Sequence, residues 1–392
     1  MRGAVATQIC PVQMQVRDGV TEHWRAMRLL TTIVGGMANN PTQSSLQRGA
    51  VYGLLAAALF GVSAPLAKRL LADIEPVVLA GLLYLGAAAG LWAYSLLRPS
   101  KIEAPLQWGD RIPVLGVVLL GGVAGPILML FGLQRVTGLT GSLLLNLEAP
   151  FTVVVAALVF REHVGRYAIA AVVLIVGGAA VLRVEPGQFA ADPLGIGLLG
   201  AACLAWALDN NLTQRLSLRD PLAIVRVKTL AAGTINLLLG LVISREGLPA
   251  LAWCLAAMLL GVCSYGVSVV LDAYALRLVG AAREAAYFAS APFMGALASI
   301  VIFHNSLSGY AIAAMAVMAT GVALLLREKH GHEHEHLVMS HEHAHTHDEH
   351  HQHTHSHAQP PLPGQPHSHA HHHTPLRHHH RHAPDVHHRH KH

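Results

Sequence analysis

Glu148 is the most isolated ionisable residue in the apolar part of this sequence. It lies nine residues into an apolar run near 139–160, about 14 Å along a helix that rises about 1.5 Å per residue. A charged side chain at that depth in a membrane costs about 2.5–3.5 kcal/mol on insertion scales, so it requires an explanation. Glu148 either binds a proton or a substrate, or forms a structural hydrogen bond near Asn146 and Pro150, since the proline frees a backbone carbonyl one turn back.

A second group of polar side chains interrupts the apolar runs after residue 200. Its members carry an ionisable, amide or indole group: Trp206, Asp209, Asn210, Arg226, Lys228 and Asp272. Opposite charges on neighbouring helices favour pairing, such as Asp209 with Lys228 or Arg226, because an unpaired charge in hydrocarbon is costly. These residues either stabilise the fold through such pairs or act directly in gating or substrate contact. Trp206 either packs in the core or forms an aromatic wall of a cavity.

The carboxyl-terminal segment is rich in histidine. Residues 330–392 hold 26 of the 29 His of the chain, most of them alternating with Glu, Asp, Ser or Thr. Such a segment cannot form an apolar core, so we predict that it is disordered. Neutral imidazoles at this density can bind divalent transition metals such as Zn, Ni, Co or Cu. The candidate ligands are His332, His334, His336, His341, His343, His345 and His347. The alternative is a solvated polymer that gains positive charge as the pH falls through about 6.5.

Composition predicts the elements that carry these residues. Hydrophobic residues make up 53% of the 392 residues, and charged residues only 12%, about half of the share in an ordinary globular protein. Ten apolar stretches are long enough to cross about 30 Å of hydrocarbon. They lie near 50–70, 76–97, 113–133, 139–160, 167–182, 194–214, 221–243, 251–274, 284–303 and 309–326. The predicted fold class is therefore an all-α membrane protein, with the lipid bilayer as a partner.

The distribution of charge predicts how the chain lies in the membrane. Basic residues are dispersed singly between apolar runs, which argues against a nucleic-acid partner. If the amino terminus is cytoplasmic, the cytoplasmic loops and the end of the last helix hold eleven Lys and Arg, and the loops on the other side of the membrane hold five. This bias predicts a multi-pass protein of the plasma (inner) membrane with both termini in the cytoplasm. No CxxC motif is present among the four cysteines, and we expect no disulfide.

The apolar region contains an internal repeat. Residues 167–171 and 310–314 both read YAIAA, and Ala149-Pro150-Phe151 recurs at 291–293. These and further matches follow one order at nearly one offset, which indicates two copies of five helices. Because five is odd, the second copy enters the membrane from the opposite side. Inverted repeats of this kind are typical of secondary transporters, whose halves meet around a site at the midplane.

Three motifs resemble a known family. The pattern LQRVTGLTGSLLLNLEAPFTVVVAALVFRE at 133–162 resembles the helix 3–4 segment of the EamA-type transporters in the drug/metabolite transporter superfamily. AWALDNNLTQ at 205–214 and ALRLVGAAREAAYFASAP at 275–292 resemble later parts of the same family. The resemblance covers about 48–328. It implies ten helices, gradient-driven movement of small metabolites, no enzymatic activity and no bound cofactor.

Two positions depart from the family pattern. Leu83 stands where the family commonly has an Arg in helix 2, and Asn305 stands where a Glu is expected after helix 9. The predicted organisation has four parts, which follow the composition and the resemblance: a polar and disordered segment at 1–47, five-helix repeats at 48–183 and 194–328, and the His-rich tail at 329–392.

The sequence thus predicts a secondary transporter for small metabolites that acts in efflux as a monomer or homodimer. Glu148 is the candidate for proton coupling. Two alternatives keep the tail at the centre of the function. The first is a divalent-metal efflux protein whose tail collects cytosolic Ni, Co or Zn. The second is a membrane protein that senses or buffers metal and uses its helices mainly as an anchor.

Overall fold

The computed structural model describes the chain from residue 41 to residue 382, apart from internal gaps. These gaps are 98–103, 160–163, 185–191, 217–218, 245–246, 280, 305–306, 328–329, 337–338, 346–366 and 374–375. The predicted amino-terminal segment 1–47 is described only from Pro41, where the first helix begins. Proline suits the first turn of a helix, because its missing N–H would have no helical partner there.

Ten apolar helices, here α1 to α10, lie within the described residues. Their bounds are α1 Pro41–Gly61 with Ser63–Leu70, α2 Pro76–Leu97, α3 Trp108–Arg135, α4 Gly138–Leu158, α5 Arg166–Arg183, α6 Pro193–Arg215, α7 Pro221–Ser244, α8 Leu251–Gly261 continuing to Val279, α9 Ala281–Phe288 with Ala291–Phe303, and α10 Gly309–Leu325. Nine of them are long and apolar enough to cross a membrane, and α10 is a shorter apolar helix. At 17 residues α10 spans about 26 Å, the lower end of the range for a membrane helix. The predicted all-α membrane fold is confirmed.

Acidic residues before proline determine where three of the helices begin. The Glu75 carboxylate accepts a hydrogen bond from the Val78 N–H at 2.9 Å. Asp192 and Asp220 accept in the same way from the second residue of α6 and of α7, at 3.1 and 2.9 Å. In each case a proline follows the acid and supplies the first residue of the helix. The carboxylate satisfies an otherwise unpaired N–H and lies near the positive end of the helix dipole.

The two halves pack as pseudo-symmetric copies. Helices at equivalent places lie side by side: α2 along α7, α4 along α9 and α5 along α10. α3 contacts α6 and α7, and its counterpart α8 contacts α1 and α2. A two-fold axis that exchanges α1–α5 with α6–α10 produces this pattern, as inverted five-helix repeats require.

Five membrane helices depart from regular α-helical geometry within the described residues, namely α1, α3, α4, α8 and α9. Residues Val117–Ala124 of α3 and Val262–Val267 of α8 form π-helical segments at equivalent places of the two halves. α4 tightens into a 3-10 turn at Leu145–Leu147, and α9 is interrupted after Phe288. Pro150 and Pro292 follow these two irregularities. Proline has no N–H to bond to the carbonyl four residues earlier, so a regular helix cannot continue through it.

The break in α1 lies where this helix crosses α9 at close range. Gly61 ends the first segment of α1, and a methyl group at its Cα would overlap the carbonyl group of Ala291. On the other side of the contact, a methyl group at Gly295 would meet the Gly61 carbonyl oxygen. The absence of a side chain at both glycines therefore allows the two backbones to touch, as in other close helix crossings.

The outer faces of the bundle are apolar. Large hydrophobic side chains are exposed on helices of both halves, for example Leu158, Val173, Val242, Leu251 and Val301. Aqueous solvent would disfavour so much exposed apolar surface, whereas hydrocarbon accommodates it. The chain is accordingly a multi-pass membrane protein.

Part of the His-rich tail forms paired strands. β1 His330–His336 pairs with β4 Leu376–His382, and β2 Met339–His345 pairs with β3 His367–His373, both antiparallel. We predicted no regular structure there. The alternation of His with other residues matches the two-residue period of a strand, so each pair needs only backbone hydrogen bonds and no apolar core. The rest of 329–392 lies outside the described residues.

Replacing Gly61 with Ala should destabilise the protein by about 1–3 kcal/mol, because the added methyl forces α1 and α9 apart. Thermal unfolding of the purified protein in detergent measures the effect as a fall in midpoint temperature. Gly200→Ala in α6 is the matched control, since no atom lies within 4 Å of a methyl group there. An equal midpoint for the two variants would show that the contact at Gly61 is not tight.

Candidate functional site

A cavity of about 540 Å³ lies between the two halves of the helical bundle. It is lined by residues of α1, α4, α6, α8, α9 and α10, and includes the irregular parts of α1, α4 and α9. Its polar lining consists of Ser142, Asn146, Glu148, Thr152, Trp206, Asn210, Asp272 and Glu284. The other lining residues are apolar. A mostly apolar concave site with a few placed polar groups is the usual form of a small-molecule site.

Glu148 lies at the middle of α4. It is the eleventh of the 21 residues between Gly138 and Leu158, and it begins the helical segment after the 3-10 turn. The Asn210 amide on α6 donates a hydrogen bond to its carboxylate at 2.7 Å, and its backbone carbonyl accepts from the Thr152 hydroxyl at 2.9 Å. The carboxyl group thus faces the cavity at the depth of the membrane centre, held by one neutral donor of the other half.

Asp272 and Glu284 form a second acidic group at one end of the cavity. Asp272 is near the end of α8 and Glu284 is in the first turn of α9, and both side chains line the cavity. Within the described structure, Asp272 Oδ1 is enclosed and has no hydrogen-bond partner.

Aromatic rings form much of the apolar wall. Phe60 of α1 contacts Phe288 of α9, with ring centroids 5.2 Å apart. Phe60 also packs edge to face against Tyr265 of α8 at 5.7 Å. Trp206 of α6 lines the cavity while its indole N–H donates to the Gly121 carbonyl at 3.1 Å. The Trp206 ring is therefore both a packing element and part of the wall, the two roles that the sequence left open.

A buried ion pair lies beside the cavity without lining it. Lys228 of α7 donates to the carboxylate of Asp209 of α6, one of the two pairings considered from the sequence. Asp209 is only 3% exposed. Gly121 of α3 leaves room for the pair, since a methyl group at this glycine would overlap the Asp209 carboxylate and meet the Lys228 ammonium.

Arg226 lies apart from both groups. Its guanidinium approaches Asp220 at 3.6 Å and stacks over the Trp92 ring at 5.7 Å. The alternative pairing of Arg226 with Asp209 is thus not formed. Asp220 is the acid that caps α7, so Arg226 stabilises the start of its own helix.

The structure brings five of the predicted residues to the cavity: Asn146, Glu148, Trp206, Asn210 and Asp272. Asp209 and Lys228 are beside it, and Arg226 is remote from it. Sequence reasoning missed Glu284, which was placed at the first residue of an apolar run. The signal available in the sequence was a carboxylate in the first turn of an apolar helix. The other carboxyl group at this end of the cavity, that of Asp272, belongs to a different helix and could not be paired with Glu284 from the sequence.

No group of three or more His, Cys, Asp or Glu that could hold a metal ion is present among the described side chains. The side chains of the tail histidines lie outside the described part of the structure, so the predicted ligands from His332 to His347 stay a prediction. Of the two departures from the family pattern, Leu83 is buried in α2. Asn305 lies outside the described residues.

An interrupted-helix cavity at the centre of ten membrane helices, arranged as two inverted repeats, defines the class of membrane transporters. The sequence profile of the EamA-like transporter family matches twice, over residues 47–184 and 193–327. The chain belongs to this family.

Individual similarities agree with this assignment. A protein described as an "Uncharacterized transporter" of Methanothermobacter thermautotrophicus is 29% identical over 317 residues, which cover 75% of this chain and 91% of that protein. A solved crystal structure of a protein superposes with a TM-score of 0.54 at 19% identity, covering 71% of this chain and 96% of that one. At this identity the second similarity concerns the fold alone.

Removing one partner of the Asp209–Lys228 pair should destabilise the protein by about 3–5 kcal/mol, because it leaves an unpaired buried charge. We therefore expect Lys228→Met and Asp209→Asn each to lower the unfolding midpoint, and the double variant to recover most of the loss. Thermal unfolding of the unmodified protein, the two single variants and the double variant gives a double-mutant cycle, which measures the coupling energy of the pair. The exposed pair Arg69–Asp73 is the control, with a coupling of about 0–1 kcal/mol. Additive losses at Asp209 and Lys228 would contradict a coupled pair.

Proposed function

We propose that this protein is a secondary transporter that exports a small metabolite by alternating access and couples export to proton entry through Glu148. The observation that carries the proposal is the position of Glu148. This carboxyl group lines the cavity at the middle of α4, beside the breaks of α4 and α9. Discontinuous helices that meet at the midplane are the usual construction of a transport site.

The form of the cavity supports an inward-facing state. It extends from Glu148 to the ends of α8 and α10 and the start of α9. In a ten-helix topology these helix ends lie on the same side of the membrane as the start of α1. The distribution of Lys and Arg in the loops favours the cytoplasmic side of the plasma (inner) membrane for this side. A cavity that is open to the cytoplasm can load a metabolite for export.

The packing of Glu148 supports a reversible proton site. Its carboxylate has a neutral amide donor, Asn210, at 2.7 Å, and no Lys or Arg forms an ion pair with it among the described residues. An unpaired carboxylate in a membrane interior is costly, so binding of a proton or of a cationic group changes its energy strongly. That dependence allows Glu148 to link the occupancy of the cavity to the movement of protons.

Glu148→Gln should abolish proton coupling, because a neutral amide cannot carry a proton. Proteoliposomes with an internal pH dye and a panel of labelled metabolites test this. We expect substrate-driven proton movement to disappear and gradient-driven flux to fall by about tenfold or more, a loss equivalent to about 1.4 kcal/mol. Asp192→Asn is the control, since Asp192 caps α6 outside the cavity. Equal flux and equal proton movement in Glu148→Gln and the unmodified protein, at equal amounts in the membrane, would remove Glu148 from the mechanism.

A second candidate function concerns the tail, which we propose binds divalent transition metal through His332 to His347. The backbone register of the paired strands supports this, since His332 is opposite His380 and His343 is opposite His369. Neutral imidazoles are common ligands of divalent transition metals. Metal in this proposal is either buffered at the tail or delivered to the cavity as a substrate.

Truncation after Lys329 should remove most of the Ni²⁺ that the full chain binds in calorimetry. Acidification should have the same effect on the full chain, since protonation of imidazoles near their ordinary pKa of about 6.5 prevents metal binding. The truncated chain is the control for metal bound elsewhere. Equal Ni²⁺ binding by the two chains would contradict a tail site. Ni²⁺ flux in proteoliposomes that depends on the tail would favour metal efflux over export of a metabolite.

A further inference from the structure

We infer that the cavity takes a substrate with a cationic amine on an apolar or aromatic body, and that the amine binds at the Asp272–Glu284 carboxyl pair. This inference rests on the proposed transport function of the cavity and specifies the chemical class of its substrate. Three observations support it: the charge of the lining, the acceptor oxygen of Asp272 that has no hydrogen-bond partner, and the apolar side chains beside the pair.

The lining is acidic. Three carboxyl groups, Glu148, Asp272 and Glu284, face the cavity, and none of its described lining side chains is Lys, Arg or His. The Lys228 ammonium does not line the cavity and is bonded to Asp209. An anionic substrate would enter without a counter-charge, whereas a cation would neutralise part of the lining.

The carboxyl pair has an unused acceptor. Asp272 and Glu284 both line the cavity, and Asp272 Oδ1 is enclosed and has no hydrogen-bond partner in the described structure. An enclosed acceptor without a donor is unfavourable, because it has lost its hydrogen bonds to water. A primary ammonium has three donors and can bond to both carboxylates. The pair thus matches the donor number and the charge of an amine.

An apolar body fits directly beside this pair. Phe288 is four residues after Glu284, so both side chains lie on one face of α9. The Phe288 ring contacts Phe60 at 5.2 Å between centroids, and Ala289 and Leu325 continue the apolar wall. An ammonium next to these rings also gains a cation–π interaction. An aromatic or aliphatic amine therefore satisfies the carboxyl pair and the wall together.

The deep part of the cavity supplies a second, independent polar contact. Ser142 of α4 lines the cavity and is fully buried, and its hydroxyl has no hydrogen-bond partner within the described residues. Buried hydroxyl groups are normally hydrogen-bonded. A polar group of the substrate remote from the amine can satisfy it, which places the two ends of the substrate at the carboxyl pair and at Ser142.

Three probes with one indole body and different charge test the inference on the full chain in nanodiscs. They are tryptamine, its neutral alcohol analogue tryptophol, and the carboxylate indole-3-propionate. Calorimetry should give a Kd for tryptamine about tenfold or more below that for tryptophol, with the weakest binding for the carboxylate. Tryptophol or indole-3-propionate binding as tightly as tryptamine, or no measurable tryptamine binding, would overturn the inference.

Variants of the carboxyl pair test whether the amine of the probe binds there. Asp272→Asn with Glu284→Gln should remove the preference for tryptamine over tryptophol, and Asp73→Asn should retain it, because Asp73 is paired with Arg69 at an exposed end of α1. A preference that survives in the double variant would overturn the assignment to this pair. Because the probe comparison uses the unmodified chain, it decides the matter even if a variant does not fold.

Flux separates this inference from the proposed function. Proteoliposomes that move tryptophol or the carboxylate but not tryptamine would retain the transporter and overturn the amine site. Selective tryptamine binding without flux of any probe would support the amine site and count against transport.

Discussion

The carbonyl groups of Gly121 and Gly122 hold the two halves of the protein together. In α3 the backbone widens into a π-helical segment, and carbonyls in such a segment lose their regular helical partners. Hydrocarbon offers no water to replace these partners, so other side chains must bond to them. Tyr84 of α2 and Trp206 of α6 both donate to the Gly121 carbonyl, at 2.9 and 3.1 Å, and Asn236 of α7 donates to the Gly122 carbonyl at 3.0 Å. Three helices are thereby fixed around α3.

The same rule explains where the cavity can form. α1, α4 and α9 are irregular within their apolar spans, and irregular backbone inside a membrane is tolerated only where it is buried in protein or lines a cavity. Residues beside the equivalent breaks of α4 and α9 line the cavity from both halves. The cavity lies between them, with Glu148 directly after one break.

Much of the fold could be predicted from the sequence, because its signals are local. Ten apolar runs separated by acidic residues, prolines and glycines specify ten helices, and the acid–proline pairs begin three of them. The central position of Glu148 followed from counting residues. The neighbour of each polar residue was less predictable, because it depends on how helices pack. Glu284 was missed for this reason, and Arg226 was left with an alternative that the structure does not form.

The ion pair has no counterpart in the first half of the chain. In this part of the chain the halves are related by offsets of 144 and 145 residues, since Gly53-Leu54-Leu55 recurs at 197–199 and Glu75-Pro76 corresponds to Asp220-Pro221. Under these offsets Asp209 corresponds to Pro65 and Lys228 to Leu83. A transporter with identical halves could pass between inward-facing and outward-facing states that mirror each other. Here the second half has an ion pair between α6 and α7, whereas the corresponding residues of α1 and α2 in the first half are apolar. Under the proposed alternating access, this asymmetry removes the symmetry that would make the two end states equal in stability.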